Sequence, residues 1–345
     1  MRVRRALAVL TSLVLLAACA SPPKNSGPAN SPDAPAPVAL PSEAHPGPAE
    51  VRRAPEPELP SDLRVPVEPP QVEPPIPLAP PRIALALGGG AAKGFVHVGV
   101  IKALEASGIF PDIVAGTSAG SVVGALYASG MSAAELQRIA LSLEESAVSD
   151  WTLPNRGFIK GEGLQNFINN ALQNRLIEKL PRVLGIVVTD LLSGQSVTFR
   201  RGNTGMAVRA SSAIPGVIQP VAISGREYVD GALTSPVPVR AAREMGADIV
   251  IAIDISSAPG SGRVQDSVDL LLQTFSIMGR VIAAQELLLA DVVVHPDVSQ
   301  LTLTTFESRR AAMSEGERAG LAAVTAIRAK IDAFYRLKKG DDKPF

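Results

Sequence analysis

One cysteine, three histidines and no net charge are what this chain of 345 residues has least of, and each shortage excludes something. Cys19, being alone, can form no intramolecular disulfide. With His45, His97 and His295 scattered, no Cys/His cluster has metal-ligand spacing, and no metal or other cofactor is expected. A formal charge of 0 gives no attraction to nucleic acid, so none is expected as a partner. The apolar stretch near the N-terminus, Ala6 to Leu16, is too short to span a bilayer core of roughly 30 Å as a helix. What is present, 46% hydrophobic and 19% charged residues, suits a globular protein with a sizeable core, as one large domain or two ordinary ones.

Arg2, Arg4 and Arg5 followed by Ala6 to Leu16 read as the basic and apolar regions of a secretory signal. Leu16-Ala17-Ala18-Cys19 then resembles the bacterial lipobox, in which the cysteine sulfur takes a lipid and the peptide is cut before it; an ordinary signal peptide with an incidental cysteine is the plainer alternative. Residues 1–18 are therefore expected to be a lipoprotein signal peptide. Their removal deletes three arginines and no acid, taking the formal charge from 0 to −3. Ala20 and Ser21 follow the cysteine. By resemblance to lipoprotein sorting signals, the absence of Asp there implies a lipid-anchored protein of the bacterial cell envelope, at the outer membrane facing the periplasm. Two or three acyl chains, each contributing about 0.8 kcal/mol per buried methylene, hold firmly.

From Ser21 to Pro81 proline steps such as Ala34-Pro35-Ala36-Pro37 and Val72-Glu73-Pro74-Pro75 dominate. Such a segment buries too little apolar surface to offset its ordering entropy, so residues 19–81 are expected to be a disordered or polyproline-like tether. About sixty flexible residues reach roughly 45 Å. His45 falls in this tract and is set aside as a catalytic candidate.

Order is expected over 82–340. Ile83 to Leu87 reads as a buried strand ending in glycines, and Ala91 to Ser107 as a helix stopped by Gly108. Asp112 to Gly116 is a second strand leading into a helix near Ser118, and Ser132 to Glu135 is a capping box. Hairpin pairs are expected around Ser193-Gly194 and around Gly225-Arg226, with strands at 222–224 and 227–229. A helix from Pro236 to Met245, a strand from Asp248 to Asp254, a helix from Ser267 to Leu289, a strand at 291–294 and a helix from about Glu307 to Tyr335 complete the reading. Strands alternating with helices predict an α/β layered fold with a largely parallel central sheet flanked by helices.

Two glycine-bearing turns carry chemistry. Gly116-Thr117-Ser118-Ala119-Gly120, between strand and helix, has the context of a nucleophile elbow, whose strained turn presents serine beside a helix N-terminus. Gly88-Gly89-Gly90-Ala91-Ala92-Lys93-Gly94 fails as a dinucleotide fingerprint, because Lys93 holds the sixth place, and as a P-loop, because Phe95 follows Gly94. It can expose N–H groups to an oxyanion, or be a tight turn and nothing more; Lys93 either lends positive potential or sits on the surface. A serine needs a base. His97 shares the Ile101 and Leu104 face of its helix and reads as a packed core histidine. His295 follows Ser118 in the order an α/β-hydrolase triad requires. Asp230, closing a strand before Gly231, is the better base, although an Asp-Gly after a strand is by itself usually a turn.

The glycine loop, Gly116 to Gly120, Ala210-Ser211-Ser212-Ala213-Ile214-Pro215-Gly216 and Val229-Asp230-Gly231-Ala232 together resemble the motifs of patatin-like phospholipases, in that family's order and over at least Arg82 to Asp254. Lys93 stands where arginine is common and Ala232 where a second glycine is common. The resemblance implies a three-layer patatin-like fold and a serine hydrolase acting on lipid acyl esters. It also implies a Ser118–Asp230 dyad without histidine, and an oxyanion hole drawn from Gly88, Gly89, Gly90 and Ala119. The expected partners are a phospholipid or other acyl-ester substrate and, through a lipidated Cys19, a membrane. A non-catalytic envelope lipoprotein that kept the fold, and a hydrolase of thioesters or peptides, remain open on the sequence.

Overall fold

The expected alternation of strands and helices is found in the computed structural model, which describes residues 78–143, 159–256, 267–299 and 306–339. Cys19, the signal segment, most of the proline tract and His45 lie outside the described residues. Those described all belong to one compact unit, Pro74–Phe345.

The first strand shows why the layers form. In β1 (Ile83–Leu87) every side chain is buried, but Ile83, Leu85 and Leu87 point into one cluster and Ala84 and Ala86 into another. Large residues on one face receive α1 (Phe95–Ala106), α2 (Ala119–Ala128), α3 (Ala133–Ser142) and the long α8 (Phe306–Lys339). Alanines on the other face, joined by Ala115 of β2 (Ile113–Thr117) and Ala252 of β7 (Ile249–Ile253), leave room for α6 (Val239–Glu244) and the C-terminal part of α7 (Ser267–Leu287). The result is a sheet sandwiched between helices.

Eight strands form this sheet in the order β5-β6-β3-β2-β1-β7-β8, with β4 also on β3. Here β3 is Val183–Asp190, β4 Ser196–Phe199, β5 Val221–Ile223, β6 Arg226–Asp230 and β8 Val292–Val294. The pairs β1–β2, β1–β7, β2–β3 and β7–β8 are parallel, and β3–β4, β3–β6 and β5–β6 antiparallel.

The register on β3 creates the site. β2 pairs with Val183 to Val187, ending with Thr117 opposite Val187. β6 pairs with Val188 to Asp190, ending with Asp230 opposite Val188. β4 pairs with Ile186 to Thr189 and so occupies the other edge, since a strand residue has only two sides. Two strands running in opposite directions therefore meet head-on along one edge of β3, one residue apart.

Several expected boundaries shift for local reasons. The second hairpin turns at Ser224-Gly225, both with positive φ (50° and 78°), one residue before the expected Gly225-Arg226. A type I′ turn needs positive φ at both central residues, and Gly225 supplies it at the second without steric cost. α6 begins at Val239 rather than Pro236, with Pro238 as its N-cap. Helices α4 (Glu162–Ala171) and α5 (Thr204–Ser211) were not anticipated. The Ser132–Glu135 capping box forms in full.

Candidate active site

Ser118 stands between β2 and α2 with φ 52° and ψ −122°, a backbone state sparsely populated by residues with a side chain. It is held there by close approach of its neighbours. A Cβ on Gly120 would lie 2.0 Å from the Leu87 carbonyl oxygen, so only glycine lets the first turn of α2 press against the end of β1. Thr117 Oγ1 donates to the Ser235 carbonyl (2.8 Å), and the Ser118 N–H donates to Ser211 Oγ (2.9 Å). Ser211 Oγ in turn donates to the Val187 carbonyl (2.6 Å), tying the elbow to the strand junction.

Across that junction Ser118 Oγ donates to Asp230 Oδ2 at 2.8 Å. Both residues are buried. The other oxygen, Oδ1, accepts the Ala232 N–H (2.8 Å), which fixes the plane of the carboxylate. The Asp230 main chain is pinned as well: its N–H donates to the Ala213 carbonyl (3.0 Å) and its carbonyl accepts Thr189 Oγ1 (2.9 Å). Desolvation pushes the carboxyl up from 3.8 to about 6, against the bonds from Ala232 and Ser118 that favour its charged form.

The glycine loop departs from expectation. The Gly88 N–H extends the β1–β7 pairing to the Ile253 carbonyl (3.1 Å), and the Gly89 N–H donates to the Pro236 carbonyl (2.9 Å). Neither can also face a substrate, so both are corrected from donors to spacers. A Cβ on Gly89 would sit 3.3 Å from the Ser118 Cβ, and one on Gly88 3.0 Å from the Ile253 oxygen. The N–H groups of Gly90, Ala91 and Ala119 have no acceptor among the described residues. Ala91 takes positive φ (50°) at the head of a 3-10 turn, Ala91–Gly94.

His97 is buried on its helix, as expected of a core residue, yet its Nε2–H donates to the Gly88 carbonyl (2.8 Å). Burial lowers it to about 4, so the ring is neutral and braces the loop. His295 does not join Ser118. It is largely exposed, with Nδ1 3.4 Å from Asp254 Oδ2, and it lines a cavity with Asp254, Ser256 and Arg280. Lys93 is held below its usual range by burial, with Asp254 opposing, so it is not a fully solvated surface lysine.

Sequence reasoning gave no role to three residues at the site. Ser211 and Ala213 belong to the Ala210–Gly216 stretch, and that motif was the available signal. Glu286 of α7 gave none. It accepts from Ser235 Oγ (2.7 Å) and the Val237 N–H (3.3 Å), and desolvation pushes it up to about 7. It thereby anchors the segment that receives Thr117 Oγ1 and the Gly89 N–H.

A strained serine on a strand-to-helix turn, bonded to a buried aspartate with no histidine between them, marks a distinct class of hydrolase-like site. Residues 85–243 match the family model of patatin-like phospholipases, a span containing both Ser118 and Asp230. It is 38% identical over 181 residues to an uncharacterised NTE family protein of Mycobacterium tuberculosis, covering 52% of this chain and 50% of that one. It is 35% identical over 228 residues to patatin-like phospholipase domain-containing protein 6 of Mus musculus, covering 64% of this chain and 16% of that protein. The chain thus spans about half the length of the mycobacterial relatives it matches. Among solved structures, VipD from Legionella pneumophila is similar with a TM-score of 0.46 and 15% identity, over 72% of this chain and 67% of that one.

Proposed function

We propose that this protein is a lipid acyl hydrolase of the phospholipase A or esterase type, working through a Ser118–Asp230 dyad and an acyl-enzyme. The observation that carries the reading is the 2.8 Å bond from Ser118 Oγ to a buried Asp230 carboxylate. In the first step Oγ attacks the ester carbonyl carbon while Asp230 takes its proton. The oxyanion rests on N–H groups from Gly90, Ala91 and Ala119, at the N-terminus of α2. Collapse of the tetrahedral species breaks the ester C–O bond, and Asp230 returns the proton to the departing alcohol. Asp230 then deprotonates a water that attacks the acyl carbon, and the fatty acid leaves as Ser118 regains its proton. A carboxylate raised to about 6 is a stronger base than an ordinary aspartate, which is what removing a serine proton requires.

The enzyme reading is tested with a fluorophosphonate probe: labelling of the wild type is expected, and none of Ser118→Ala. An unlabelled wild type would leave a non-catalytic protein that kept the fold. A panel of phospholipid, lysophospholipid, thioester and short peptide substrates then distinguishes lipid esters from other acyl bonds. Turnover confined to thioesters or peptides would overturn the substrate class.

The same proposal places the protein at the bacterial envelope, most simply at the outer membrane facing the periplasm. It is anchored through acylated Cys19, with residues 20–81 as the tether and 82–340 as the hydrolase. Cys19→Ser is expected to leave a longer precursor without incorporated fatty acid; normal processing of that variant would sink the lipoprotein reading.

A further inference from the structure

Among the described residues, exposed large apolar side chains gather on one element, α7 and the two leucines just beyond it. Leu270, Ile277, Met278, Val281 and Leu288 are exposed by 58%, 49%, 53%, 65% and 77%. The spacing of Leu270, Ile277 and Val281, seven and four residues, aligns them in one stripe at 100° per residue. Leaving such a stripe in water is costly at about 25 cal/mol per Å².

The opposite side of the helix borders the active site. A Cβ on Gly279 would lie 3.9 Å from the Ala232 oxygen, in the turn that follows Asp230. On the flank between the two sides, Leu271 reaches the loop after Ala213: a Cβ on Gly216 would meet its Cδ2 at 2.9 Å. Farther along, Glu286 turns inward to Ser235 and Val237. One side of α7 thus forms part of the wall around the dyad while the other presents hydrocarbon.

Charge and position bear on what the stripe meets. α7 carries three charged residues, Asp269, Arg280 and Glu286. Glu286 is buried and Asp269 partly buried in the first turn, whereas Arg280 is exposed on the flank of the stripe beside Val281. A phospholipid surface supplies phosphate at the level of that cation and acyl chains below it, next to the wall of the dyad. No helix among the described residues is long and apolar enough to cross a membrane, so an in-plane seat fits α7.

We infer that α7 is the lipid-docking surface of this protein: it lies in the plane of a phospholipid bilayer, with Leu270, Ile277, Met278 and Val281 in the acyl boundary and Arg280 among the phosphates. The inference rests on the lipid-hydrolase reading above and adds the element through which substrate is met. Immersion should be shallow, about 5–10 Å.

The test uses the full chain carrying Trp151→Phe, which removes the sole tryptophan, together with Val281→Trp. Vesicles of phosphatidylethanolamine and phosphatidylglycerol, with and without brominated acyl chains, report the depth of the introduced indole. A blue-shifted emission is expected, with at least twofold stronger bromolipid quenching than in a control carrying Leu337→Trp on α8. Equal or absent quenching at position 281 overturns the proposal, because an acylated Cys19 or a retained leader would bring the protein to vesicles without immersing α7. So does a dimer in vesicle-free buffer that Val281→Glu dissociates while quenching is absent, which would assign the stripe to a second copy. As an independent arm, Ile277→Glu with Val281→Glu should lower the ratio of vesicle hydrolysis to soluble p-nitrophenyl butyrate hydrolysis at least tenfold; an unchanged ratio overturns the proposal. The quenching arm needs no turnover and can be run in Ser118→Ala, so loss of docking and loss of the hydrolase reading are separate results.

Discussion

Replacing Asp230 by Asn should make the protein more stable and nearly inactive at once. The amide fits the same space: its oxygen can accept the Ala232 N–H while its NH2 group faces Ser118 Oγ, reversing the direction of that bond. Activity falls because an amide cannot take a proton. General-base catalysis is worth about 10²–10⁴-fold, or roughly 3–5 kcal/mol of barrier. Stability moves the other way. The wild-type carboxyl is raised from 3.8 to about 6 by burial, so its neutral form is the one the fold favours. That favourable contribution is complete below the ordinary aspartate pKa and is lost as pH rises through about 6. At pH 8 the charged carboxylate costs the fold about two pK units, roughly 3 kcal/mol. Asn removes that cost, for a gain of roughly 6–10 °C in Tm for a domain of this size. Near pH 4 the gain should all but vanish, because the wild-type carboxyl is then neutral as well. Thermal melts at pH 4 and pH 8, beside ester hydrolysis at pH 8, check both signs. An Asn variant that melts lower at pH 8, or that retains turnover within tenfold, would refute the buried-base reasoning. Combining Asp230→Asn with Ser118→Ala should be scarcely worse than either alone, since residues acting as one unit are non-additive.

The wild-type kcat/KM should rise with pH and level off above about 6, as Asp230 must be ionised to act; an acid limb nearer 4 would mean the carboxylate is solvated in the working enzyme. His97→Leu should cost about 1–3 kcal/mol by leaving the Gly88 carbonyl unpaired, seen as a lower Tm, with turnover reduced less than about tenfold and the acid limb unmoved; disappearance of that limb would make the imidazole the base. Gly120→Ala should lower both Tm and turnover, by about 1–3 kcal/mol for the former, because its methyl would meet the Leu87 carbonyl; an unperturbed variant would show that α2 does not need its close seat on β1.

The pairing of Ser118 with Asp230 could be read from the chain because each sits in a local pattern. Ser118 lies between an apolar run and a helix with glycines on both sides, and Asp230 closes a short strand before a glycine. The donors of the glycine loop could not be read so. Whether the Gly88 and Gly89 amides are free depends on Ile253 and Pro236, more than 140 positions away, and no pattern within the loop reports that. The parallel half of the sheet was legible because its strands are continuous apolar runs, buried on both faces. Pairing β6 beside β3 was not, since its register is set by contacts between distant segments. Helix α5 escaped notice because eight residues give barely two turns of periodicity, although Asn203 does cap it by accepting the Met206 N–H (2.7 Å). Glu286 had no motif around it, and its burial follows only from the docking of α7 under the sheet.

The head-on meeting of β2 and β6 on β3 also bears on when the Ser118–Asp230 pair comes into being. Ser118 is delivered by the parallel half of the sheet and Asp230 by the antiparallel hairpin, some 110 residues later in synthesis. Neither half carries the pair, and Val187 and Val188 of β3 are the template on which the two halves are brought into line. A nascent or partly unfolded chain, with its most local contacts made and the hairpin still undocked, has a serine without its partner. The pair is thus made by long-range pairing of both halves on β3 rather than by any single segment.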